Sequence, residues 1–134
     1  MDIVFANLIG ILSELSRIDQ ASAAARDALP IMRRTRTYYV ETWVYFFWRR
    51  GHVDTAALLL GASDAEEARR GAPLQPNERR LIAAARAGLE AALSPSKFAS
   101  TLAAAAALGA GALPLLIAEA LAQPPQSRTS AAEE

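Results

Sequence analysis

The chain has 134 residues, 52% of them apolar, enough for one modest domain with a packed interior and too many for a disordered chain. Its 14 basic and 14 acidic side chains cancel, so it lacks the basic excess by which nucleic-acid binders neutralise phosphates. It has no cysteine, which excludes disulfides, thiolate chemistry and cysteine-held zinc.

Alanine dominates, with long runs near 83–92 and 103–107, and β-branched residues are few and scattered. Alanine has the highest helix propensity and lets helices approach closely, so an all-α fold of six to seven helices is expected. The start MDIVFANLIG puts Asp2 where a secretory signal would carry positive charge, which leaves a cytoplasmic location as the expectation.

The first helix is predicted over Asp2–Leu15, with Ile3, Phe5, Leu8, Ile9, Leu12 and Leu15 as its apolar stripe. After a turn at Ser16–Ile18, a second helix covers Asp19–Met32 and buries Ala21, Ala24, Ala25, Ala28 and Leu29. Pro30 lacks an amide for the helical ladder, so that end is expected to kink or fray. A basic connector, Arg33 to Arg36, leads to a third helix over Thr37–Arg50. Its segment YYVETWVYFFWRR spreads aromatic rings around most of the circumference, as a helix buried between neighbours or facing a partner would.

Gly51 is the predicted C-cap and hairpin turn, and the fourth helix starts at Asp54 with Ala56, Ala57, Leu59 and Leu60 inward. Gly61–Ser63 is expected to bend it before Asp64 caps a last segment that Gly71 ends. Pro73 and Pro76 break the chain. A fifth helix over Asn77–Leu93 turns Leu81, Ala84, Ala85, Gly88, Leu89 and Ala92 inward. Ser94 and Pro95 form the cap and first position of a sixth helix ending near Leu108. Gly109 and Gly111 interrupt, and a last helix over Pro114–Ala122 buries Leu115, Leu116 and Leu121. Residues 123–134 read as a polar, disordered tail.

The segments SRIDQASAAARDAL and RRGHVDTAALLLGA share a turn, a polar lead and an alanine opening an apolar helix. Ala21 and Ala56 lie 35 residues apart, near the roughly 34-residue period of tetratricopeptide repeats. That spacing predicts antiparallel hairpins over about 2–32 and 37–70, stacked as a right-handed tetratricopeptide-like array, with capping helices over 77–122.

From Arg49 onward the chain resembles the C-terminal helical region of large bacterial LuxR-type and MalT-like regulators, in which tetratricopeptide-like repeats follow an ATPase core. The run from Arg50 to Leu81 carries the resemblance through Gly51, Ala56, Ala57, Leu59, Leu60, Gly61, Ala62, Glu67, Gly71, Ala72, Pro73, Leu74, Pro76, Glu78 and Arg79. It covers roughly residues 49–122, and residues 1–48 resemble the preceding repeat more loosely. No GxxxxGK[ST] loop and no helix-turn-helix with a basic recognition helix can be placed. The resemblance therefore implies the repeat scaffold of such a transcriptional regulator, without its ATP-binding and DNA-reading parts.

No catalytic, cofactor-binding or metal-binding residue can be assigned. His52, the only histidine, reads as an exposed or capping residue at a turn. Asp54, Asp64, Glu66 and Glu67 read as helix-start and solvent-face carboxylates without a histidine to complete a metal or acid–base site. The partner surface, if helix three has one, would combine Tyr38, Tyr45 and Trp48 with Arg34, Arg49 and Arg50 at the rim, since aromatic and arginine side chains dominate hot spots. Thr101 to Ala118 is uncharged for 18 positions, but GAGALP splits it, favouring buried helix, turn and helix over a membrane span.

The expected function is a non-enzymatic module that binds another protein or regulator domain, self-association included, with no nucleic acid, membrane or cofactor. The alternatives are a small-ligand or signal-sensing domain with a pocket at Tyr38, Trp43 and Phe47, and a small membrane-associated helical protein.

Overall fold

The computed structural model describes residues 2–35, 38–71, 74–108 and 110–126. Several expectations lie outside those residues: Arg36 in the connector, Thr37 as the start of helix three, loop residues Ala72 and Pro73, the break at Gly109 and tail residues 127–134. Among the described residues the fold is all-α. It comprises α1 (Asp2–Glu14), α2 (Ile18–Thr35), α3 (Val40–Arg50), α4 (Val53–Arg70), α5 (Pro76–Ala92), α6 (Pro95–Ala106) and α7 (Leu113–Ala122), with a 3-10 turn at Ala110–Ala112.

The helices pack as paired, stacked hairpins. α1 lies on α2 and α3 on α4, while α3 also contacts α1 and α5, and α4 contacts α6. α2 and α4 are each 18 residues long and begin 35 residues apart. Ala21 and Ala56 therefore hold the same place in each and are fully buried. α7 folds back from the far end of the chain and packs against both α2 and α4.

Periodicity located the inner faces of α2 and α4 correctly. All five predicted positions of α2 and all four of α4 are buried. Helix boundaries moved where packing outweighed local backbone preference. α2 continues through an exposed Pro30 to Thr35. α4 is one uninterrupted helix rather than a bent and recapped one. Gly61 serves close packing there: a Cβ on it would lie 2.6 Å from the Ala105 Cβ and 2.8 Å from the Leu102 carbonyl of α6. Ser94 caps α6 as predicted, its Oγ accepting from the Lys97 amide at 3.1 Å. Ala84 and Ala92 of α5 and Leu115 of α7 face solvent, contrary to their predicted inward positions.

The core is built around α3. Trp43, Val44, Phe46 and Phe47 are completely covered, and Tyr45 nearly so. Trp43 stacks on Phe47 and meets Phe46 edge-on, both at 5.9 Å between ring centroids, within the range where aromatic pairs attract beyond area burial. Of the two options open for this helix in the sequence, the structure takes the buried one.

Candidate functional site

The end of α3 is a corner tied to the C-terminal segment. Gly51, at φ +92°, is the left-handed residue of a Schellman motif, with its amide donating to the Trp48 carbonyl and the His52 amide to Phe47 at 2.9 Å. A side chain at Gly51 would also collide with the Gln126 carbonyl, 1.9 Å from an ideal Cβ. Glycine is therefore required twice, for the backbone angle and for the passing chain.

Arg50 is 1% exposed. Its Nη1 donates to the Ala120 carbonyl at 3.0 Å and its Nη2 to Gln123 at 2.7 Å, while the guanidinium lies 5.8 Å from the Phe46 ring centroid. These carbonyls belong to the end of α7, where helical acceptors are orphaned and the helix dipole favours a cation. Burial, helped by the charge of Arg26, lowers the Arg50 pKa, but a guanidinium stays protonated in proteins. The Arg50 carbonyl in turn accepts from the Gln126 amide at 2.9 Å.

His52 is buried, not exposed, and its side chain makes no capping bond to α4. Its Nε2 lies 3.1 Å from the Pro124 carbonyl, which can only accept, so Nε2 carries the proton. Burial first, then the charge of Arg50, pushes its pKa below the usual histidine value, and the Pro124 bond opposes them. Residues 123–126, assigned by sequence to the polar tail, are thus held by backbone bonds and two cation-forming side chains rather than by an apolar anchor.

The structure does not bring together the six residues singled out for a partner surface. Arg34 is exposed at the end of α2, and Tyr38 is half-buried before α3. Trp48 and Arg49 sit together at the other end of α3, the Arg49 guanidinium 5.8 Å from the Trp48 ring centroid and Arg49 Nη2 donating to Ser16 Oγ. Tyr45 meets Trp48 edge-on at 5.5 Å but is covered, and Arg50 is committed to α7. Trp48 itself presses on α5 where Gly88 leaves room: a Cβ there would lie 2.2 Å from the indole.

Exposed apolar surface lies instead on α1. Ala6, Ile9 and Ser13 are its buried face, whereas Val4, Leu8, Ile11 and Leu15 are 62%, 42%, 56% and 58% exposed. At 100° per residue those four fall within roughly 60° of one another, diametrically opposite the buried three. The predicted stripe spans both sides, since it runs Ile3, Leu8 and Leu15 together with Ile9. The signal available was the breadth of the apolar arc, wider than one contact face needs.

A cleft of about 760 Å³ opens beside the start of α3, lined among others by Arg33, Tyr38, Tyr39, Glu41, Glu66, Arg69 and Glu78. It is not the pocket expected from sequence, because Trp43 and Phe47 are sealed in the core. Among the described residues no group of three or more His, Cys, Asp or Glu side chains could hold a metal, and no helix is long and apolar enough to cross a membrane. In comparisons with known proteins, no protein family, curated protein or solved structure matches this chain.

Proposed function

We propose that this chain is a non-enzymatic, tetratricopeptide-like interaction module whose docking face is the outer side of α1. The single observation that carries the reading is the uncovered row Val4, Leu8, Ile11 and Leu15, on a helix whose other side is already packed into the core. A helix that is apolar on both sides calls for cover on both. The preformed hairpins would offer that face at little ordering cost. The right-handed array, the cytoplasmic setting and a place in a bacterial transcriptional regulator are part of this proposal. They are supported by the 35-residue offset of α2 and α4 and by the Gly51–Arg79 run.

A photo-crosslinking residue at Ile11, with the exposed Asp27 of α2 as control, tests the reading in the cells that make the protein. The expected result is a defined protein adduct at position 11 and none at position 27. Equal labelling at the two sites contradicts the reading, and an adduct to the transcription machinery would support the regulatory part.

The cleft favours a second reading, a small-ligand sensor, since its volume falls in the range of ligand pockets. A ligand that raises Tm in the wild type but not in Tyr38→Ala would support it, and an equal rise in both would count against it.

A further inference from the structure

We infer that the outer face of α1 pairs with the same face of a second copy of this chain, the two helices running antiparallel about a two-fold axis. This rests on the interaction reading above and names the partner.

The spacing of the exposed residues carries the argument. Val4, Leu8, Ile11 and Leu15 are separated by four, three and four positions, the alternation of a coiled-coil seam. In an antiparallel pair centred between Leu8 and Ile11, Leu8 faces Ile11 of the other copy and Val4 faces Leu15. The row is its own complement, which is what an isologous two-fold interface requires. Charge favours the same arrangement. Glu14, bonded to Arg80 of α5, and Arg17 both lie at one end of the seam. An antiparallel pair separates each from its own kind, whereas a parallel pair would set like charge beside like charge. Antiparallel helices also oppose their dipoles.

The alternative of copies stacked head to tail fits poorly. The far end of the stack, on α5 and α6, exposes charged residues and alanines such as Arg79, Ala83, Glu90 and Lys97, not a matching apolar row. The exposed fractions of the four seam residues amount to roughly 400 Å² per copy and about 800 Å² for the pair, the size of a weak, transient contact. The pairing is therefore weak and reversible.

Sedimentation velocity of the full chain from nanomolar to submillimolar concentration should show the mean mass doubling. Leu8→Glu/Ile11→Glu should stay monomeric throughout, with unchanged helical circular dichroism. Since the chain has no cysteine, the register can be read by mixing Leu8→Cys and Ile11→Cys chains under mild oxidation. Mixed 8–11 cross-links should dominate over 8–8 and 11–11 products. A wild type that is monomeric at every concentration, a dimer that survives the double glutamate variant, or same-site cross-links at equal yield would overturn the pairing. A monomeric chain whose position 11 still captures a different protein in cells would overturn the pairing while leaving the interaction reading standing.

Discussion

α1 and α3 are both apolar around most of their circumference, yet they meet opposite fates. α3 lies among α1, α2, α4 and α5, and its Trp43, Phe46 and Phe47 are fully covered. α1 packs on α2 and α3 from one side only, and Val4, Leu8, Ile11 and Leu15 remain in solvent. The difference shows that an apolar circumference states a need for cover, while the place in the stack decides whether the chain itself supplies it.

The largest effect separating the two helices is expected from truncation. Phe46→Ala should lower unfolding free energy by about 3–5 kcal/mol in urea titration, through lost transfer energy and a cavity. Such a loss is a large share of the total for a small domain. The same experiment on Leu8→Ala/Ile11→Ala, at concentrations where the chain is monomeric, should change it by about 0.5 kcal/mol or less. Comparable losses at both helices would erase the distinction.

The corner that fastens α3 to the C-terminal segment sharpens it further. Gly51→Ala combines left-handed strain with the collision against Gln126, and about 3 kcal/mol of destabilisation is expected from chemical denaturation. Arg50→Met leaves the Ala120 and Gln123 carbonyls without their charged donor, with an expected loss of about 2–3 kcal/mol. Hydrogen exchange should quicken first at the amides of α7 and Gln126, not at α1. Uniform acceleration along the chain would argue that Arg50 supports the whole core instead.

A smaller effect concerns pH. The folded-state pKa of His52 lies below its ordinary value of about 6.5, so between the two values the unfolded chain binds more protons than the folded one. Stability should therefore be constant with respect to His52 above pH of about 7 and fall as pH drops through about 6.5. It should level off below the folded pKa, with a slope of at most about 1.4 kcal/mol per pH unit. His52→Gln should remove that slope, and an unchanged slope in the variant would assign it to other groups. Glu14, whose pKa the Arg80 hydrogen bond lowers, adds acid sensitivity of the same sign, beginning as pH falls through the ordinary carboxylate value and ending at its lower folded value.

Sequence pattern was most informative where a helix has one apolar side. The alanine faces of α2 and α4 and the Ser94–Pro95 start of α6 were legible because small residues at helical spacing and cap chemistry leave one arrangement. α1 was not, since Ile9 and Leu8 are equally apolar and periodicity cannot say which turns inward. The clamp on the C-terminal segment was hidden for another reason. Its acceptors are the backbone carbonyls of Ala120, Gln123 and Pro124, which carry no residue-type signal, so Arg50 read as a rim charge and His52 as a surface turn residue. Gly61 reads as a bend in the sequence, and only the position of α6 reveals its close approach.

Carbene footprinting of the wild-type chain over a dilution series tests the contrast between the two helices most directly. Val4, Leu8, Ile11 and Leu15 should label strongly at low concentration and become protected as concentration rises, while Trp43, Phe46 and Phe47 stay unlabelled throughout. Labelling of the α3 rings in the folded chain, or an α1 seam that is protected at every dilution, would contradict the account.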